Sequence, residues 1–429
     1  MKMNHPTPTM RPFLMLWASQ SVSALGTAMT NYALVIWLYN QNGTASGISL
    51  LTLCSYLPTI LLRFIAGAAA DRWNKKRIML FSDLLAACGT CTILILYSFS
   101  ALAITHLYLI NFLLSLMNAI QAPAAYVATS LLVPEEYYAR IGGLQTISGA
   151  LVSILSPVLG ALVLVWGGIP AVLTIDLFTF SVAFITLIFI RIPEDKRGKE
   201  AAEPFSRTYT AGIRYLKEHP VLLRLIVYIA AVNFLAKLGS DGQMSVFILS
   251  RTNGDQATLG SVQSAVALGL LAGGSLSALA KPARDHRRLI IAMCCLIFTA
   301  GIPLALGRNP VVWCAASFFQ YLFAAIMNVH WGAYMRTAVP PDMQGRVFSA
   351  RDTLQNCTIP LGIYLGGILT DFVFEPLLSG ESTAAGLLPL LFGYGSGSGI
   401  AFLFFLVSLS GLMLSAVYMI SLHKPHTDR

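Results

Sequence analysis

The chain has 429 residues, 56% of them hydrophobic and only 11% charged, with a formal net charge of +9. Soluble chains are roughly one-quarter charged, so a string of soluble domains is excluded, and so much apolar surface excludes disorder. The apolar residues fall in blocks of about twenty, the length a helix needs to cross roughly 30 Å of hydrocarbon. That pattern predicts an all-α membrane protein with twelve transmembrane helices.

In chain order the predicted spans run near 13–38, 47–70, 78–99, 105–128, 141–165, 169–190, 221–249, 258–280, 289–306, 310–335, 347–372 and 397–421. The first stays apolar through Trp37, too long for the core of a cleaved signal peptide, so it is expected to remain as a helix. With the N-terminus inside, the inner segments hold 22 of the 28 lysines and arginines, the outer loops two (Arg251 and Arg308), and the spans four. This asymmetry predicts a multi-pass protein of a bacterial plasma membrane with both termini cytoplasmic. The positive charge is then a topology signal, and nucleic acid is not expected as a partner.

The polar stretch 191–220 separates six spans from six. The expected organisation is a six-helix bundle over 1–190, a cytoplasmic linker over 191–220 and a second six-helix bundle over 221–429. Within the linker, Tyr209–Glu218 is amphipathic and fits either the inner membrane surface or a solvated linker helix. An internal repeat accompanies the division. Val133-Pro134 followed by Arg140 recurs as Val339-Pro340 followed by Arg346, and Gly160 and Gly366 keep the same offset. Two similar bundles imply a central pathway opened alternately to either side.

The connection between spans two and three reads Gly67-Ala68-Ala69-Ala70-Asp71-Arg72-Trp73-Asn74-Lys75-Lys76-Arg77. A small residue here permits close helix approach, and a carboxylate at a helix end can meet a facing helix N-terminus. The stretch resembles the signature loop of the major facilitator superfamily, G-x-x-x-D-R-x-G-R-R/K. Gly67, Asp71, Arg72 and Lys76 match it, Lys75 keeps the charge, and Asn74 stands where glycine is usual. The resemblance implies the major facilitator fold and a gating role for Gly67, Asp71, Arg72, Lys75 and Lys76, latched against the start of span eleven near Gly345-Arg346. Further stretches are similar to the branch holding macrolide-efflux-type and siderophore-exporter carriers: Leu132–Gln145, Asp176 with Thr179-Phe180, and Pro360 and Gly362 leading to Asp371, Phe374, Glu375 and Pro376. An exporter glycine pattern in span five is partly kept, by Gly143, Pro157 and Gly160, while span four lacks the arginine that many proton-coupled exporters carry.

A charge near a bilayer centre costs about 2.5–3.5 kcal/mol on insertion scales, so each one asks for a role. Asp176 in span six and Asp241 in span seven are the proton-coupling candidates, against the alternative of structural hydrogen bonding. Lys237 lies four residues before Asp241, on one helix face if the helix is continuous, but Gly239 and Gly242 favour a break there. The pair is either a static ion pair or, if it lines a cavity, a substrate contact. Arg63, Asp83, Arg351 and Asp352 lie nearer the cytoplasmic side, where snorkelling or interhelix pairing explains them. Asn31, Gln121, Asn233 and Asn328, with Lys237, are the pathway candidates. Gln20, Asn118, Gln320 and His330 are further polar groups of the same kind, each also explicable as a helix contact.

The seven cysteines fit no disulfide or zinc spacing. No Walker motif, metal cluster or nucleophile triad is visible, so no enzyme activity and no cofactor are expected, and an ion or substrate gradient must supply the energy. The expected function is a secondary active transporter, a proton-coupled exporter of lipophilic or amphipathic small molecules such as antibiotics. It would act as a monomer in the lipid bilayer on a small-molecule substrate and protons. The alternatives are an importer or a lipid or siderophore transporter on the same fold, and a non-transporting membrane sensor or scaffold.

Overall fold

The computed structural model describes residues 10–72, 74–133, 138–192, 205–239, 242–279, 285–340, 343–378, 388–393 and 395–423. Ten helical stretches among them are long and apolar enough to cross a membrane. One of these, Ile147–Phe189, has 43 residues, which as a straight helix would measure roughly 65 Å, about twice the hydrocarbon thickness. It is interrupted at Gly168, whose φ of 65° and ψ of −167° no helix tolerates. Leu159, Val163 and Leu164 before that glycine pack with Val172 after it, against Met29 and Ala33, so 138–167 and 169–189 are spans five and six. Ala45–Arg72, a further helix of 28 residues, is span two. Twelve spans result among the described residues.

The Asn42-Gly43-Thr44 triplet makes the turn between spans one and two. Gly43 sits at φ 63°, a left-handed geometry that favours glycine. Thr44 Oγ1 accepts the Gly47 N–H at 3.3 Å, and so satisfies one free donor at the start of span two.

The helices form two compact units. Residues Met1–Trp37 with Cys54–Ala202 make one, and Leu38–Leu53 with Glu203–Arg429 the other. The junction of spans one and two therefore belongs with the C-terminal helices. In the N-terminal unit, span three packs against span four and the 138–189 hairpin. In the C-terminal unit the spans surround an apolar core that includes Leu225, Ile229, Ile290, Phe298, Met335 and Val347.

Small residues set the closest approaches. A side chain on Gly160 of span five would press on the Tyr32 ring of span one, and one on Gly366 of span eleven would collide with the Leu238 carbonyl of span seven. The two glycines of the internal repeat thus make equivalent contacts, each at the crossing of a unit's fifth and first helix. Spans eight and ten form the most extensive helix pair among the described residues. There Gly269 and Gly273 lie against the Phe318 and Leu322 carbonyls of span ten, a small-x-x-x-small face that lets the backbones meet.

Two spans are interrupted. Span seven ends at Leu238, where the Gly239 N–H still reaches the Leu235 carbonyl, and resumes at Gly242–Arg251. The helix break expected at these glycines is present. Span eleven comprises Gln344–Asn356, Ile359–Leu369, a π-turn at Thr370–Phe374 and Glu375–Leu378. At its first interruption, Thr358 Oγ1 donates to the Ala230 carbonyl of span seven at 3.2 Å.

The linker contains a helix, Phe205–Glu218. It docks on the C-terminal unit instead of facing solvent or lipid along its apolar side. Leu216 is buried in the core, Tyr215 Oη donates to the Ala338 carbonyl at 3.4 Å, and Gly212 abuts the Arg346 carbonyl at the start of span eleven.

Neighbouring glycines of span eight offer a test of this packing. A methyl group on Gly273 meets the span-ten backbone, whereas one on Gly274 meets nothing within 4 Å. Gly273→Ala should destabilise the detergent-solubilised protein by about 1–3 kcal/mol through overpacking. Gly274→Ala should be neutral or stabilising by up to about 1 kcal/mol. Parallel thermal-unfolding curves check the contrast, and equal midpoints for the two variants would contradict the close approach.

Candidate functional site

In a hydrocarbon environment each polar side chain must find its partner within the protein. The described carboxylates show how this chain meets that demand. Asp176 of span six is 4% exposed. Its two oxygens accept three threonine hydroxyls, from Thr27 at 3.0 Å, Thr30 at 3.1 Å and Thr90 at 3.2 Å, so it ties together spans one, three and six. Gly26 makes this possible, because a side chain there would collide with Thr179 and press on the Asp176 backbone. Thr30, Thr90 and Asp176 are buried, and Thr27 is exposed.

Asp83 of span three is half-buried. One oxygen accepts from Gln121 of span four at 2.6 Å and the other from Gln20 of span one at 3.2 Å. Three residues that sequence reasoning kept apart are therefore one cluster. Of the remaining pathway candidates, Asn31 and Asn328 are exposed in mid-helix, and Asn233 of span seven donates to the Gln355 carbonyl of span eleven at 3.4 Å. His330 meets His286, with 3.1 Å between the Nδ1 atoms.

The signature connection is built by helix capping. Asn74, which replaces the usual glycine, is the N-cap of span three and accepts the Arg77 N–H at 3.1 Å. Lys76 reaches the end of span six and donates to the Ile188 and Ile190 carbonyls at 2.7 and 2.8 Å, where a cation also complements the helix dipole. Lys75 is buried. Gly67, Asp71 and Arg72 continue the helix of span two, and their side chains lie outside those described. So does that of Arg63, while Asp241 lies wholly outside the described residues. Arg351 pairs with its own neighbour Asp352 at 2.6 Å and lies over the Phe348 ring.

At the opposite ends of the helices, assigned outside by the basic-residue asymmetry, a second set of caps appears. Asp371, on the π-turn of span eleven, accepts the N–H groups of Ala45 at 3.0 Å and Ser46 at 2.7 Å, and so caps span two. Gln243 of span seven donates to Ser49 Oγ of span two at 3.1 Å, and any side chain on Gly367 would meet Ser46 and Ser49. Glu375 caps span twelve through the N–H groups of Gly397 and Gly399, the latter at 2.7 Å. Arg251 and Arg308, the two outer-loop bases, hold the Phe392 and Leu390 carbonyls of the short helix Leu388–Phe392. Sequence reasoning named Asp371 and Glu375 only among the stretches that carry the family resemblance. The missed signal was their four-residue spacing, which puts both on one helical face.

Within the C-terminal unit lies a cavity of about 150 Å³ bounded by spans seven, nine, ten and twelve. Lys237 and Gln320 line it, with Ser408 and the rings of Phe298, Tyr321 and Phe404. Lys237 therefore meets the condition that makes it a candidate for substrate contact.

The model of the Major Facilitator Superfamily matches residues 16–306. Macrolide efflux protein A of Streptococcus pyogenes is 25% identical over 368 residues, covering 84% of this chain and 89% of that protein. The enterobactin exporter EntS of Shigella flexneri is 27% identical over 346 residues, covering 76% of each. Among solved structures, the nucleoside transporter NupG superimposes with a TM-score of 0.69 at 10% identity, over 96% of this chain and all of NupG, a likeness that speaks for the fold alone.

The outer caps have a measurable weight. Helix N-caps contribute about 0.5–2 kcal/mol, so Asp371→Ala should lower unfolding stability in detergent by that amount. Phe372→Ala is the control, since Phe372 is 72% exposed on the neighbouring position. Equal stability of the Asp371→Ala protein and the parent would exclude the cap as an energetic contact.

Proposed function

The chain belongs to the Major Facilitator Superfamily, and from that premise we propose that it is a proton-driven exporter of lipophilic or amphipathic small molecules, antibiotics among them, working by alternating access. The relatives named as a macrolide efflux protein and an enterobactin exporter support the outward direction. The observation that carries the proton step is the cradle around Asp176. A threonine hydroxyl both donates and accepts. The three hydroxyls around Asp176 can therefore donate to the carboxylate, and one of them can turn to accept from the protonated acid. Either charge state is satisfied inside the bundle. A lysine or arginine partner would hold the anion only.

In this reading Asp176 takes up a proton in one state of the transporter and releases it in the other, with Thr27 as the exposed end of the cradle. The protein sits in a bacterial plasma membrane with both termini cytoplasmic and works as a monomer. Gly67, Asp71, Arg72, Lys75 and Lys76 hold the inner gate, as the family resemblance implies. Asp241 is the second proton candidate. The enterobactin exporter among the relatives keeps siderophores as an alternative cargo for the same machinery.

Asp176→Asn separates proton binding from scaffolding, because the amide oxygen still accepts hydrogen bonds but the side chain cannot titrate. In everted vesicles, accumulation of a labelled macrolide driven by a pH gradient should fall at least tenfold in Asp176→Asn. Gradient-independent substrate exchange should persist. Normal gradient-driven accumulation in this variant would reduce Asp176 to a structural cross-link. Accumulation by the parent protein that survives collapse of the pH gradient would remove proton coupling altogether.

A further inference from the structure

The tip of the first helical hairpin is held by helices far along the chain. Leu38–Leu53 belongs to the C-terminal unit, although the helices that carry it, Arg11–Asn42 and Ala45–Arg72, run on into the N-terminal unit. Span one crosses that boundary between Trp37 and Leu38 as unbroken helix, with neither glycine nor proline between Asn31 and Asn42. A displacement of the N-terminal unit is therefore carried to the tip by span one.

Three contacts fasten the tip. Asp371 of span eleven accepts the N–H groups of Ala45 at 3.0 Å and Ser46 at 2.7 Å. Gln243 of span seven donates to Ser49 Oγ at 3.1 Å, and Tyr39 of span one is hydrogen-bonded to Ser250 of span seven. Gly367, four residues before Asp371 and so on the same helical face, makes the room, because a side chain there would meet the Ser46 backbone and Ser49. The first N–H groups of a helix have no partner inside it. Those of Ala45 and Ser46 follow directly on the turn in which Gln41, Asn42 and Gly43 are exposed. At such a helix end water can take the place of the carboxylate, so the cap can be released without leaving bare donors in lipid.

Spans two and eleven are also matched in the charges near their ends. By the family resemblance Asp71, near the end of span two, faces the start of span eleven, where a carboxylate suits the positive end of the helix dipole. Asp371, near the end of span eleven, caps the start of span two. It stands on the π-turn Thr370–Phe374, a feature frequent at functional sites.

We infer that the Asp371 cap is a latch at the ends of the helices opposite the signature connection. It holds the tip Leu38–Leu53 to spans seven and eleven in one transporter state and releases it in the other. The inference rests on the alternating-access reading for its purpose, but neither on proton coupling nor on the identity of the substrate.

Spin labels on Gln41→Cys at the tip and Val311→Cys at the start of span ten, both exposed positions, report the latch. The protein is full-length, in nanodiscs, with the seven native cysteines replaced by serine, and pulsed electron paramagnetic resonance gives the distances. Two populations are expected in the parent. The ratio of the longer to the shorter should rise about two- to thirtyfold in Asp371→Ala, the equilibrium weight of a helix N-cap. Asp371→Asn keeps one acceptor oxygen and should raise it less. Gly367→Val keeps the carboxylate but pushes Ser46 away, and should raise it too. Asp71→Ala should lower it.

A distance distribution unchanged in both Asp371→Ala and Gly367→Val would make the tip a fixed part of the C-terminal unit and overturn the latch. A rise in Asp71→Ala equal to that in Asp371→Ala would also overturn it, since either loss would then act by general loosening. Gradient-driven export measured on the same preparations keeps the two readings apart. Export by a protein whose tip never moves refutes the latch alone, and a movable tip in a protein that exports no compound refutes the exporter alone.

Discussion

The constraint behind every feature of this chain is that a polar group in hydrocarbon must be satisfied by the protein itself. Four of the described carboxylates obey it in three ways. Asp176 takes hydroxyls from two other spans, Asp83 takes two side-chain amides, and Asp371 and Glu375 take the free N–H groups that begin spans two and twelve. The cations answer the complementary need at the other type of terminus, Lys76 at the end of span six and Arg251 and Arg308 on the carbonyls of the short outer helix. An acid at a helix start or a base at a helix end costs less than either alone in lipid, because the terminus carries an opposite partial charge. The charged residues named here thus act as connectors between helices.

The second constraint is close approach. Without a hydrophobic drive between helices in lipid, contact area and backbone proximity decide which faces pair. Gly160 and Gly366 make the same crossing in the two units, and Gly269 with Gly273 seats span eight on span ten. Gly212 brings the linker helix onto the backbone of Arg346 at the start of span eleven. The linker helix Phe205–Glu218 is consequently part of the C-terminal unit, beside the segment that the family resemblance assigns to the inner gate.

What the sequence made legible follows from the same physics. Length and hydropathy identify the spans because a helix must cover a known thickness, and Gly239 with Gly242 announced the break in span seven. The repeat was visible because its glycines are contact residues in both units. The breaks in span eleven were not read from the sequence, although Pro360 opens Ile359–Leu369 and marks the first of them, where the Thr358 hydroxyl donates to the Ala230 carbonyl. Likewise Asp176 and Asp83 stood out as charges, but their partners lie 38 to 149 residues away in sequence, and no periodicity within one helix encodes which faces converge. Lys237 could be listed but not placed, because a cavity is a property of four helices at once.

The placement of the Asp176 cradle bears on how a proton and a substrate would be coupled in the proposed exporter. The Asp176 cradle is made wholly from spans of the N-terminal unit and the Lys237 cavity wholly from spans of the C-terminal unit. On the proposed reading, a proton at the cradle and a substrate group held in the C-terminal unit would not compete for the same atoms. Coupling must then pass through the equilibrium between transporter states, and each ligand acts only to the extent that it binds one state better than the other. Linkage makes the effect reciprocal, with proton binding altering substrate affinity by the same factor as the reverse. A shift from 1:99 to 99:1 between states takes about 5.5 kcal/mol of differential binding. No single hydrogen-bonded group supplies that much, so on the proposed reading most of it must come from the substrate as a whole.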